Sequence, residues 1–118
     1  METYSDLISL DAEQTFHEVA QKSLQEARKE IGSGDTLQSP KQITAKCLES
    51  QLVTLYGMAA AITRREDDIG KIAQLWKVMT EICDEFSREI ETITGAVPAR
   101  ILYLRQECQK LHDLHRAD

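Results

Sequence analysis

The sequence predicts an all-α protein, and within that class a four-helix antiparallel bundle with coiled-coil-like heptad packing. Apolar residues recur at alternating steps of three and four through most of the chain, which is the period of an amphipathic helix. Aromatic residues make up 5 % of the 118 residues, fewer than a sheet protein normally uses. The two prolines lie where those helical patterns begin or end. The alternative architecture is an extended helical hairpin or coiled coil with one continuous helix over residues 40–94.

The length of the chain is that of one domain. A chain of 118 residues can bury roughly 65 % of its unfolded surface on folding. We therefore expect a single helical domain over residues 1–118, with a core that needs neither a metal nor a disulfide. The predicted helices span residues 11–31, 40–63, 67–94 and 98–116.

Local start and stop signals set the first two helices. Asp11, followed three residues later by Gln14, predicts a capped helix start, and Gly32 can take the left-handed conformation that ends a helix. Ser39 can cap the second helix. Pro40 fits the first helical position because its missing N–H would have no intrahelical partner there.

The joint over residues 63–68, "TRREDD", is ambiguous. Six polar residues interrupt the apolar pattern, and Asp67 or Asp68 can cap a new helix. No proline, glycine or asparagine in this stretch forces a turn. A turn here predicts the compact bundle, whereas a continuous helix predicts the extended coiled coil.

The third helix carries the most regular apolar stripe in the chain. Its members are Ile69, Ile72, Trp76, Met79, Cys83, Phe86, Ile90 and Ile93. Leu75, Val78 and Ile82 widen this stripe in the middle, while the part from Phe86 onward is narrow and rimmed by acids. A wide apolar face is typical of a bundle core and a narrow seam of a two-helix contact. We expect the middle to be core, and Gly95 to end the helix.

The end of that stripe and the last helix supply the predicted interaction surface. The fourth helix repeats the three-and-four spacing from Ile101 to His115. Its basic residues form a solvated face in the default interpretation, and antiparallel packing would align them with the acids of the third helix. The interface residues predicted from the two helices are Phe86, Ile90, Ile93, Leu104, Leu111 and Leu114.

Charge and cysteine usage narrow the class of partner and the compartment. The formal net charge is −6 and the pI is about 5.1, so we expect no nucleic-acid partner. No apolar run approaches the roughly 18 residues of a membrane span, so we expect no membrane partner. Cys47, Cys83 and Cys108 are odd in number and form no C-x-x-C pair. They are predicted to be buried free thiols in a cytosolic or nuclear protein.

Motifs of catalysis and metal binding are lacking. There is no nucleophile elbow, phosphate loop or dinucleotide fingerprint. Glu13 with His17, and His112 with His115, share helix faces, but the inward stripes carry none of the carboxylates that a di-iron bundle uses. We therefore predict no catalytic residues, no cofactor and no metal. The sequence favours a non-enzymatic protein but does not decide the question.

The predicted function is a non-enzymatic protein-interaction or structural subunit that acts through helix–helix contacts. Its partner would be a second copy or another chain, in a homo- or hetero-oligomeric assembly. The alternative is a helical-bundle regulator or enzyme that binds a small ligand. Small residues in "YGMAAAI" let a bulky side chain approach, which would place the pocket near Gly57, Met58 and Trp76.

Overall fold

The fold is an all-α four-helix bundle, as predicted. The computed structural model describes residues 4–32 and 38–115, and within them the side chains of residues 15–29 and 41–115. The helices are α1 (Tyr4–Gly32), α2 (Gln38–Arg65), α3 (Ile69–Thr94) and α4 (Ala99–His115). Over the described ranges the chain forms no strand.

Consecutive helices run antiparallel, with α3 at the centre of the arrangement. Side-chain pairs 64 and 61 residues apart join α1 to α3, namely Gln21 with Glu85 and Arg28 with Glu89, so these two helices run parallel. Helix α3 packs against each of the other three, while no Cα atoms of α1 and α4 come within 8 Å of each other in the described ranges. Helices α1 and α4 are therefore the outer helices.

This arrangement makes the bundle flat and somewhat elongated. The described part of the chain measures 49 × 32 × 17 Å, with a Cα radius of gyration of 15.5 Å. A compact chain of this length would have a radius of about 13.5 Å. The shape leaves the two outer helices with a large share of exposed surface.

One apolar core joins all four helices. Its largest fully buried side chains are Trp76, Phe16, Phe86, Leu24, Leu52, Leu55, Met79, Ile82, Ile90 and Ile101. They come from the stripes predicted for the four helices. Full burial of one such side chain contributes about 1.5–3 kcal/mol of transfer free energy, so this core is the main source of stability.

The ambiguous joint is a turn, and the continuous helix over residues 40–94 is not formed. Residues 66–68 leave the helical conformation. Asp68 is the N-cap of α3, with extended backbone angles (φ −82°, ψ 106°), and its side chain accepts a hydrogen bond from the Lys71 backbone N–H at 3.2 Å. A carboxylate at this position satisfies one of the unpaired amides of the first turn, which explains why the helix restarts here.

Glycine ends α3 as predicted. Gly95 has a φ of +85°, and its N–H donates to the Glu91 carbonyl at 2.7 Å. A side chain disfavours this left-handed conformation, so glycine is the residue best suited to it. Residues 95–98 then reverse the chain, and α4 packs back along α3.

Helices α1 and α2 begin earlier than predicted, whereas α3 and α4 begin two residues and one residue later. Helix α1 begins at Tyr4, seven residues before Asp11, because residues 4–10 contain no helix breaker and the helix simply extends through the Asp11 signal. Helix α2 begins at Gln38, so Pro40 lies inside its first turn, where a missing N–H still breaks no intrahelical bond. A capping signal marks where a helix can start, and not where it must.

The prediction for the cysteines was wrong at one position. Cys83 and Cys108 are buried, but Cys47 is exposed. Cys47 lies beside the buried stripe of α2, on a flank that its neighbours leave open. All three are free thiols.

None of the helices, over the residues described, is long and apolar enough to cross a membrane.

Candidate functional site

The residues predicted for the interface fall into two groups in the structure. Phe86 and Ile90 are fully buried and Leu104 is 8 % exposed, all within the chain's own core. Ile93 and Leu111 are partly buried against that core. Leu114 is 74 % exposed. The folded chain therefore keeps half of this set inside, and the accessible part lies mainly at the end of α4.

Two of the acids beside the narrow end of the α3 stripe pair with side chains of α1. Gln21 Nε2 donates to Glu85 Oε2 at 2.6 Å, and Arg28 Nε donates to Glu89 Oε1 at 2.7 Å. The side chain of Glu89 is 12 % exposed. The acids that flank the stripe predicted a seam open to solvent, but Glu85 and Glu89 instead accept hydrogen bonds from side chains of α1.

The three residues of the alternative pocket differ in exposure. Gly57 and Met58 are exposed, whereas Trp76 is 1 % exposed. The Trp76 ring packs against Tyr56 with a centroid distance of 5.4 Å, and its Nε1–H donates to Thr63 Oγ1 at 2.9 Å. The indole is thus a satisfied core side chain.

Helix α4 also exposes apolar side chains outside the core, and we call this surface the α4 outer face. It consists of Leu102, Tyr103 and Leu114, which are 50 %, 60 % and 74 % exposed. Tyr103 and Leu114 are eleven residues apart, about three helical turns, so they lie on one side of the helix. Leu102 comes one residue before Tyr103 and lies about 100° from it around the helix axis. The remaining side carries the residues that pack into the core, Ile101, Leu104 and Cys108.

One edge of the α4 outer face adjoins helix α2. Burial raises the pKa of the half-buried Tyr56 above its ordinary value near 10, and the nearby Cys108, Glu107 and Tyr103 raise it further. The Tyr56 ring packs against Trp76 and is partly buried against the core.

Polar side chains of α4 form pairs with α3, with α2 and within α4 itself. Arg105 Nε donates to Asp84 Oδ1 of α3 at 2.9 Å, which raises the pKa of the Arg105 guanidinium. Arg100 lies 3.9 Å from Glu49 of α2, and Lys110 pairs with Glu107 on α4 itself at 3.7 Å. Such exposed pairs contribute about 0–1 kcal/mol each. Arg105 of α4 pairs with an acid of α3, whereas other acids of α3 face α1.

A groove of about 780 Å³ runs between α1 and α2. Its lining includes Ala27, Leu48 and the exposed Ile43 and Cys47 alongside polar side chains. It is wide open to solvent. No group of three or more His, Cys, Asp or Glu side chains in the described part of the chain is placed to hold a metal ion.

Sequence reasoning missed Leu102 and Tyr103. Both lie off the stripe that begins at Ile101, and a stripe search ignores apolar residues between its members. Their position off the stripe could have identified them, because a large apolar residue outside the core-facing stripe of a helix is expected to be exposed. Leu114 was found by its proximity to the stripe.

No protein-family model matches the chain, and neither a curated protein nor a solved structure is significantly similar to it. The class of protein is therefore defined by the fold alone: an all-α four-helix bundle.

Proposed function

We propose that this chain is a non-enzymatic protein-interaction or structural subunit, a scaffold or adaptor that works in an oligomeric assembly. It binds its partner, a second copy or another chain, by packing a helix against the α4 outer face. Its compartment in this proposal is the cytosol or nucleus. The observation that carries the proposal is the exposure of three large apolar side chains on one short outer helix.

The energetics support a reversible contact. Leu102, Tyr103 and Leu114 are each at least half exposed, and full burial of such side chains contributes about 1.5–3 kcal/mol each. Association costs about 4–15 kcal/mol in lost translational and rotational freedom, so these three need further contacts. The half-buried Leu111 on the same helix extends the surface.

The types and positions of the residues on the α4 outer face also favour a role in partner binding. Tyrosine is enriched among residues that dominate binding energy, because its ring is large, rigid and polar at one end. Lys110 and Asp113 lie on the same side of α4 and are exposed. Charges at such flanking positions select the partner and its register.

The first test is the oligomeric state. Size-exclusion chromatography with light scattering, supported by small-angle X-ray scattering over a concentration series, should show self-association if the partner is a second copy. The double variant Tyr103→Asp with Leu114→Asp should abolish it while the helical circular dichroism signal is unchanged. The matched control is Ser50→Asp with Thr54→Asp on the exposed side of α2, which should leave assembly intact.

A second test covers a different partner chain. A photo-crosslinking amino acid at position 103 should give a discrete adduct in cells, and the same group at position 54 should not. If the chain stays monomeric at all concentrations and position 103 gives no adduct beyond that seen at position 54, the α4 outer face is not an interaction surface.

A further inference from the structure

Two cysteines that are 25 residues apart in sequence meet in the core. Cys83 of α3 and Cys108 of α4 place their Sγ atoms 3.9 Å apart. Both residues are fully buried, at 0 % exposure. The contact lies in the middle of the antiparallel α3–α4 pair, and it is far from the exposed Cys47.

Oxidation can join these thiols with little rearrangement. A disulfide needs an S–S distance of about 2.05 Å, so the sulfur atoms must approach by roughly 1.9 Å, a shift that small changes in the side-chain torsions and helix spacing can supply. Once one sulfur is oxidised, a thiol already in contact with it reacts far faster than a thiol of another molecule, because its effective concentration is high. Cys47 has no such neighbour among the described cysteines.

We propose that Cys83 and Cys108 form an oxidisable dithiol site, which a peroxide converts to an intramolecular disulfide that links α3 to α4. One thiolate attacks a peroxide oxygen, and hydrogen peroxide yields a sulfenic acid and one water. The other thiol attacks the sulfenic sulfur, the S–S bond forms, and a second water leaves. The two thiols lose two electrons and two protons, and one hydrogen peroxide is reduced to two waters.

Access to the site depends on α4. Hydrogen bonding to Cys83 and burial hold the pKa of Cys108 far above its usual range, so the closed bundle protects the pair from oxidants. Helix α4 is an outer helix, packed mainly against α3, and it can separate locally without unfolding the remaining core. The reaction is therefore slower than oxidation of an exposed thiol, and it speeds up under conditions that loosen α4.

Peptide mapping tests the link directly, because each cysteine falls in a different tryptic peptide. Cys47 lies in residues 47–64, Cys83 in 78–88 and Cys108 in 106–110. Cys47→Ser protein, which keeps the pair, is treated with hydrogen peroxide, alkylated and digested. The expected product is a linked pair of peptides 78–88 and 106–110, with a mass loss of 2 Da and a monomer on non-reducing gels.

The disulfide should also change stability. It closes a loop of 26 residues, counted from Cys83 to Cys108 inclusive, which restricts the unfolded chain. The melting temperature of the oxidised protein should rise by roughly 5–15 °C, and dithiothreitol should reverse the rise. Cys108→Ser and Cys108→Ala should each lose both the link and the rise, and the use of two replacements guards against one that folds poorly.

Two results would overturn the proposal. One is that Cys83 and Cys108 stay fully alkylatable after peroxide treatment that oxidises most of Cys47 in the wild-type chain, even when α4 is loosened by low urea. The other is that oxidation yields sulfinic or sulfonic acid on these residues, or intermolecular dimers, without the linked peptide.

Discussion

Helices α3 and α4 carry apolar residues with the same spacing, yet the fold covers them very differently. Helix α3 buries eleven of its 26 residues, whereas α4 buries three of its 17. The difference comes from the number of neighbours, since α3 packs against three helices and α4 mainly against one. Apolar spacing therefore shows that a helix has a core-facing side, and the number of neighbouring helices determines how wide the covered side becomes.

The largest expected effect comes from a fully buried aromatic side chain of α3. Phe86→Ala should lower the free energy of unfolding by about 3–5 kcal/mol, because removal of a fully buried ring leaves a cavity in the core. Urea denaturation measures the change, with Phe86→Leu as the milder matched control. A loss below about 1 kcal/mol would show that this end of α3 is not core in solution.

The corresponding change in α4 should be smaller. Leu104→Ala is expected to lower the free energy of unfolding by about 2–3 kcal/mol, since its side chain is 8 % exposed and an outer helix can relax into the space. Leu114→Ala, on the same helix but exposed, should change it by less than about 0.5 kcal/mol. Equal losses at the two leucines would contradict the exposed position of the α4 outer face.

The contact between α2 and α3 can be weakened through a single hydroxyl group. Thr63→Val removes the acceptor of the Trp76 Nε1–H and leaves a buried donor unpaired, which should destabilise the chain by about 1–2 kcal/mol. Tryptophan fluorescence and chemical denaturation report on the change together. Thr54→Val is the control, because that hydroxyl bonds only to the Ser50 carbonyl in an exposed position. A comparable loss from both substitutions would point to the bond that each threonine hydroxyl donates to the carbonyl four residues earlier, and not to the bond from Trp76.

The joint between α3 and α4 depends on backbone conformation. Gly95→Ala should cost about 1 kcal/mol, because the position has a φ of +85° although nothing lies within 4 Å of the added Cβ. Gly57→Ala makes the same chemical change inside α2, where there is also open space, and should stabilise by about 0.5–1 kcal/mol. Thermal denaturation of the two variants should therefore show shifts of opposite sign.

The smallest effect is expected at the surface pair between α3 and α4. Arg105→Gln should change stability by about 0–1 kcal/mol, since the Arg105 and Asp84 side chains are 41 % and 46 % exposed. Any loss seen at low ionic strength should vanish in about 1 M salt, where screening is strong. A loss that persists in high salt would mean that the arginine stem packs on α3 and that its charge is secondary.

Much of the fold was predictable because it depends on local chemistry. The end of α3 at Gly95 and the restart at Asp68 follow from residues whose preferences act within one helical turn. The buried stripes follow from helical spacing. The start of α1 was not predictable from its capping signal, because a helix continues through any residue that tolerates it.

The candidate surface was predicted less well. Phe86 and Ile90 have the narrow, acid-rimmed setting of a seam, yet both are buried in the core that the four helices share. Gln21 and Arg28 of α1 pair with two of the flanking acids. Leu102 and Tyr103 lack the stripe spacing and are exposed because only one helix covers most of α4. Both outcomes depend on which helices become neighbours.

The sequence by itself determined the fold class, most of the helix ends and the faces that turn inward, but it left open whether residues 63–68 form a turn. Those features come from backbone preferences and from the need to bury apolar side chains, and both act over a few residues. The tertiary structure alone decided that α3 is central, that Cys83 meets Cys108 and Cys47 does not, and that α4 keeps an apolar outer face. Periodicity shows which side of a helix is apolar, but the packing of the four helices decides which residues contact that side.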